Sequence, residues 1–381
     1  MQKDFPFARP LIDEGEKQAV MEVLSGNVLT HGPKCREFEE QFADYVGVKH
    51  AITTSNCTTA LHLSLVANGV GEGDEVIVPA MTHVATAHAV EHSGATPMFA
   101  DIDPLTGNID SGEIERLCTP KTKAIIVVHY LGLPCDMDAI LSIAESRDIV
   151  VIEDSATAVG AKFGDKHAGS IGKTGCFSFY PSKHMTTMEG GMLTTNDDLV
   201  AAKVKNIRAF GYDKGLGERS VPGVYDIISL GWNYRMSEGH AAVGVVQLSR
   251  LPEFLAARQV NAECMISRLQ ENKDITVFPL KNGDARSSWY CVNVTLPEGR
   301  SEIRRELISK LNGVGVGTSV HYPVALPLSK YYSEKYGYKV GSHPVAEWVA
   351  NHTISLPCGP HLTETDADDI ALLFLQIYND F

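Results

Sequence analysis

Short apolar runs rich in β-branched residues recur through the first half of the chain. Between them lie longer stretches whose apolar positions return every three or four residues. The short runs read as strands covered on both faces, and the longer periodicity reads as helix. Strands are expected at 51–55, 75–79, 96–101, 124–129, 150–154, 176–180 and 191–195. Helices are expected at 59–68, 85–92, 137–147 and 197–208. Asp136 and Asp197 stand where the last two helices need N-caps. Strands alternating with helices predict an α/β fold with a largely parallel sheet.

The pattern then changes. Residues 211–231 are rich in Gly and Tyr and read as a loop. A helix is expected over 237–251, with Pro252 kinking or breaking it before helix resumes over 253–271. Beyond Asn272, strands are expected at 289–296 and 317–322 and helices at 302–311 and 364–378, which suits a small α+β unit. The expected division is a large domain over 1–250, with an N-terminal helix, and a small C-terminal domain over 251–381.

Hydrophobic residues make up 44% and charged residues 21% of 381 residues, as in an ordinary globular protein. The formal charge of −14 argues against a nucleic-acid surface, because phosphate binding rewards a basic face. No apolar run reaches the roughly 18–20 residues of a membrane helix. The N-terminus lacks the basic-then-apolar order of a signal peptide, so a cytoplasmic location is expected. Eight cysteines are scattered singly, without metal-ligand or disulfide spacing, and no metal site is expected.

Against this background the candidate chemistry gathers at strand ends, where open α/β sheets bind ligands. Ile149-Val150-Val151-Ile152-Glu153-Asp154 is a buried-strand pattern ending in an acid. Phe177-Ser178-Phe179-Tyr180-Pro181-Ser182-Lys183 sets a lysine just past an aromatic strand, before Glu189-Gly190-Gly191. A strand-end carboxylate with a later strand-end lysine is what pyridoxal 5'-phosphate (PLP) chemistry requires. The amine joins the cofactor aldehyde, and the acid keeps the pyridine nitrogen protonated. Cys57-Thr58-Thr59-Ala60-Leu61 offers a helix start directly after a strand, where orphan amides favour a phosphate. Ser178 can add a hydroxyl, and His83, at another strand end, a ring to stack on the pyridine.

With these residues in place, the chain resembles the keto-sugar aminotransferases among fold-type I PLP enzymes, perosamine-synthase relatives especially. The likeness runs from Thr30-His31-Gly32-Pro33 through Ser55–Leu61, Pro79–Thr86, Glu153–Gly160, Ser178–Gly191, Asn233-Tyr234-Arg235-Met236 and His321-Tyr322-Pro323 to Ser355-Leu356-Pro357. It implies a seven-stranded, mostly parallel sheet. It implies Lys183 as the residue bonded to the cofactor and Asp154 at the ring nitrogen. Thr58, Thr59 and Ser178 would sit at the phosphate and His83 at the ring face. Thr157 stands where relatives often carry Gln or His near the phenolic oxygen. Asn233 would reach the phosphate of a neighbouring subunit, making a homodimer with composite sites. His321 and Tyr322 would lie near the sugar, and His184 borders the same loop.

The implied reaction moves an amino group from L-glutamate to a keto-sugar, first of all a nucleotide-linked 4-keto-6-deoxy sugar, for surface polysaccharide or antibiotic synthesis. A 3-keto sugar or a keto-sugar without a nucleotide, such as an oxidised octulosonate, are alternatives. So is a sugar dehydratase, although members of that branch carry His in place of the lysine.

Overall fold

The computed structural model describes residues 3–214, 220–221 and 223–381. Its centre is a seven-stranded sheet. The strands, in chain order, are β1 (His50–Thr54), β2 (Glu75–Pro79), β3 (Thr96–Ala100), β4 (Thr122–Val128) and β5 (Val150–Asp154). After two short strands, β6 (Lys162–Phe163) and β7 (Lys166–His167), come β8 (Thr174–Ser178) and β9 (Gly191–Thr195). The order across the sheet is β1-β9-β8-β5-β4-β2-β3. β9 alone runs against its neighbours, antiparallel to β1 and β8, while the pairs from β8 to β3 are parallel. This is the mostly parallel α/β sheet that the sequence predicts.

The apolar runs are continuous because both faces are covered. On β4, Ala124 and Ile126 join one core while Ile125 and Val127 join another on the opposite face. Helices start where caps are supplied: the Asp136 carboxylate accepts from the Ala139 amide, and Asp197 from those of Leu199 and Val200.

Helix Glu238–Leu269 runs on through Pro252 as one element, so of the expected kink or break the break does not occur. Its first half gives Ala241, Leu248 and Leu251 to the core behind β8 and β9. Its second half gives Ala262, Met265 and Leu269 to the C-terminal core. Burial on both sides holds the helix across the missing Pro252 amide bond. The expected domain division at 250 therefore falls inside this helix, whose residues still pack on the first core at Leu251 and Leu255 and reach the C-terminal core by Ala262.

The C-terminal unit holds a three-stranded antiparallel sheet. Two further short strands, β11 (Lys281–Asn282) and β12 (Ala285–Arg286), separate its β10 (Thr276–Val277) from β13 (Val292–Thr295) and β14 (Thr353–Leu356). β12 pairs with β6, tying the two units together. The strand expected at 289–296 begins only at Val292, because Trp289 sits in the left-handed region at φ 55° and turns the chain. The strand expected at 317–322 is replaced by isolated bridges, Phe5 to Val316 and Ser319 to Ser355. The N-terminal arm thus takes one edge, and Phe5 is buried in the C-terminal core. Among the described residues of 211–231, bridge Tyr212–Ile227 is the regular pairing in the expected loop, which also includes residues outside those described. No helix among the described residues is long and apolar enough to cross a membrane.

Candidate active site

Asp154 closes β5 and Lys183 follows β8, the adjacent strand, with Asp154 in register with Cys176. The loop bearing Lys183 is tied shut. The Lys183 amide donates to the Tyr180 carbonyl at 2.9 Å and Phe179 donates to Gly190 at 2.9 Å. The Thr187 amide and the Thr186 hydroxyl both donate to Phe179, at 3.0 and 2.9 Å. The half-buried Lys183 amine lies 4.9 Å from the Tyr290 ring centroid and makes no ion pair with a carboxylate among the described residues. Asp154 is 5% exposed; its Oδ2 accepts from the Thr86 hydroxyl at 2.8 Å and its Oδ1 from the Ala156 amide at 3.1 Å. The charges of Asp154 and Lys183 both act on the His83 ring and on the buried Cys57 thiol, so the acid and the amine share one neighbourhood.

His83 is the N-cap of helix Val84–His92, its Nδ1 accepting from the Ala85 amide at 3.2 Å, and its ring meets Tyr322 edge-on at 6.0 Å. His83 reaches solvent, but the neighbours that cover part of its ring pull it below the ordinary histidine range, and the Lys183 charge adds to this against the opposing pull of Asp154.

The helix start at Cys57 lies beside these groups. Asn56 and Thr59 form a capping box: the Thr59 amide donates to Asn56 Oδ1 at 2.9 Å and the Asn56 amide donates to the Thr59 hydroxyl at 3.3 Å, while that hydroxyl donates to the Asn56 carbonyl at 2.8 Å. Thr59, expected at the phosphate, is thereby committed to the cap. The Thr58 hydroxyl makes no hydrogen bond among the described residues, and the first-turn amides of Cys57 and Thr58 lie outside the helical ladder. Ser178 pairs in register with Gly191, whose backbone abuts Asn56 and Cys57, so its hydroxyl stands near the same helix start.

The other expected residues separate. Thr157 is buried and its hydroxyl donates to the His129 carbonyl at 3.2 Å, so it has an oxygen lone pair but no proton left to offer. His184 is turned inward: it is 2% exposed, its Nε2 is 2.9 Å from the Ser288 carbonyl, and burial drives it far below the usual range. It anchors the lysine loop instead of presenting a ring beside the amine. Asn233 is exposed, next to Tyr234, whose carbonyl accepts from the Ser55 amide at 2.8 Å.

His321 and Tyr322 do join the site wall. His321 Nδ1 lies 2.9 Å from the Ser355 hydroxyl, and its ring is 5.6 Å from those of Tyr290 and Phe7. Burial, with Lys183 and His83 adding, pulls His321 to about 4, while burial raises the Tyr322 phenol. The Tyr130 hydroxyl donates to the His321 carbonyl. Tyr290, Phe7 and Thr86 are site residues that sequence reasoning did not single out. Tyr290 read as one more strand aromatic, and the buried guanidinium of Arg258, donating to the Trp289 and Tyr290 carbonyls, helps place it.

This donor set fits PLP. An amine free of carboxylate partners, a buried acid, an exposed ring and a glycine-lined helix start converge at the ends of β5, β8 and β9. The comparisons with known proteins agree. Residues 10–374 match the DegT/DnrJ/EryC1/StrS aminotransferase family. The chain is 40% identical over 372 residues to GDP-perosamine synthase of Caulobacter vibrioides, covering 97% of each chain. Its structure is similar to Helicobacter pylori PseC, an aminotransferase involved in the biosynthesis of pseudoaminic acid (TM-score 0.93, 29% identity, 100% of both chains). It is similar also to Spr1654 of Streptococcus pneumoniae, solved in PLP and PMP forms. There the TM-scores are 0.93 and 0.94 at 30% identity, with 99% of this chain covered and 99% and 100% of those chains. The chain therefore belongs to the DegT/DnrJ/EryC1/StrS aminotransferase family, and it is a PLP-dependent aminotransferase.

Proposed function

We propose that the protein transfers the amino group of L-glutamate to a nucleotide-linked 4-keto-6-deoxy sugar, yielding an amino sugar for surface polysaccharide or antibiotic synthesis. The likeness to GDP-perosamine synthase supports the acceptor class. PLP, when bound, supplies the electron sink that makes the donor's α-proton labile. Lys183 Nζ takes that proton as general base and returns it as general acid, and repeats the shuttle in reverse on the acceptor side. Asp154 would hold the proton on the ring nitrogen. Ser178, Thr58 and the amides at Cys57 and Thr58 would hold the phosphate, and His83 would lie on the ring face. Thr157, whose hydroxyl proton goes to the His129 carbonyl, would lie near the phenolic oxygen without donating to it. Tyr290, His321 and Tyr322 wall the sugar side.

A homodimer completes this reading. The exposed apolar side chains Val224, Ile227, Ile228 and Leu230 precede exposed Asn233, and a second copy would cover them and receive Asn233 at its phosphate. A cytoplasmic location goes with nucleotide-sugar substrates.

The observation that carries the proposal is the Lys183 amine held over Tyr290 without a carboxylate partner among the described residues, its charge acting on the same His83 ring and Cys57 thiol as that of Asp154. The test is mass spectrometry of products from L-glutamate and a panel of nucleotide-linked and free keto-sugars. A 4-amino product that Lys183→Ala cannot form at steady state is expected. Full turnover by Lys183→Ala, or amination confined to nucleotide-free sugars, overturns the proposal.

A further inference from the structure

Behind the carboxylate that faces the site stands a pair of buried hydroxyls. Thr82 and Thr86 are 2% and 0% exposed, and their Oγ1 atoms lie 2.8 Å apart. Thr86 Oγ1 is in turn 2.8 Å from Asp154 Oδ2. A hydroxyl has one proton, and an ionised carboxylate has none to give. Thr86 must therefore donate to Asp154, and Thr82 must donate to Thr86. The direction of both bonds is fixed as long as Asp154 is ionised. The Ala156 amide occupies Oδ1 at 3.1 Å. Each carboxylate oxygen is thus pinned by one donor, and the plane of the carboxylate is set from both sides.

Thr86 lies in the first turn of helix Val84–His92, whose N-cap is His83. One helical turn therefore carries both the ring at the mouth of the site and the hydroxyl that orients the acid within it.

We infer that Thr86 is a positioning residue for the cofactor: backed by Thr82, it fixes Asp154 in the orientation that receives the protonated ring nitrogen. This rests on the reading of Asp154 as the partner of that nitrogen. A second-row donor of this kind acts through the acid and touches neither substrate nor cofactor.

The test uses apoprotein titrated with PLP, followed by absorbance, on the wild type, Thr86→Val, Thr86→Ser and Thr82→Val. Losing a hydrogen bond to a charged group predicts PLP binding weaker by on the order of tenfold or more in Thr86→Val. Thr86→Ser, which keeps the hydroxyl, is expected to stay within about threefold, and Thr82→Val to fall between the two. The pH midpoint of the bound cofactor's visible band should move in Thr86→Val and return in Thr86→Ser, which a purely structural role would not produce. Wild-type affinity and midpoint in Thr86→Val overturn the inference while leaving the cofactor reading intact. Failure of the wild type to take up PLP overturns both. Should Thr86→Val not fold, an unchanged affinity in Thr82→Val overturns the relay.

Discussion

Gly191 stands so close to Asn56 that a Cβ built on it would lie 2.4 Å from the Asn56 carbonyl carbon and 2.7 Å from the Cys57 nitrogen. The obstruction is backbone, so no side chain can yield. This contact seats the start of β9 on the helix whose first turn is the proposed phosphate cradle. Gly191→Ala is expected to cost about 2–3 kcal/mol by overpacking. It should also weaken binding of PLP more than that of pyridoxal, which lacks the phosphate. Chemical denaturation and paired binding titrations check it; equal losses for the two ligands would place the defect elsewhere.

The strand ends that carry Asp154, Lys183 and His83 are legible because a run of buried apolar residues must stop where polar chemistry begins. The sheet is legible for the same reason. What escapes is whatever depends on distant segments meeting. Tyr290 reaches Lys183 because Trp289 turns through the left-handed region, and no periodicity announces that turn. The Phe5 arm occupies the edge that the 317–322 pattern seemed to offer a strand. His184 adjoins Lys183 in sequence, yet its ring faces the Ser288 carbonyl. Neighbourhood in sequence does not set direction on a tight loop.

The residue before Asp154 carries a different burden. Glu153 is fully buried and accepts from the amides of Gly169, Ile171 and Gly172 at 2.7, 2.7 and 2.6 Å, with His129 Nε2 at 2.9 Å. His129 Nδ1 accepts from the Cys135 amide at 3.2 Å, which leaves Nε2 to donate to the acid. Glu153→Gln turns one acceptor into a donor facing donors. The expected loss is about 3 kcal/mol of unfolding free energy, since buried donors that faced a carboxylate are left unsatisfied. Urea denaturation measures it, and a loss below about 1 kcal/mol would show that the clamp contributes little beyond an ordinary hydrogen bond.

Pro252 offers a gain instead of a loss. Its ring removes one amide from the ladder of helix Glu238–Leu269 while buried Leu248, Leu251 and Phe254 hold the helix on either side. Pro252→Ala restores the bond, against a smaller penalty from a freer unfolded chain. A rise of about 1–2 kcal/mol is expected in the same denaturation assay. A destabilised variant would mean that the helix is shaped around the proline.

Acid should destabilise the protein through three wholly or partly buried histidines. His62, His167 and His321 are each pulled from 6.5 to about 4, chiefly by burial. In the unfolded chain they bind protons as pH falls below about 6.5, whereas the folded protein resists until about 4. The unfolded state therefore holds more protons in that window, so stability rises with pH there. It is complete above about 6.5 and drains away as pH falls towards about 4. His62 is 4% exposed, its ring 4.7 Å from Trp232 and its Nδ1 3.3 Å from the Tyr234 hydroxyl. His62→Phe keeps the ring packing and removes one titrating group, so its melting temperature should fall less steeply between pH 6.5 and 4.5. Thermal melts of both proteins across that range decide the matter: identical slopes would mean that His62 does not take up a proton on unfolding in the way its burial requires.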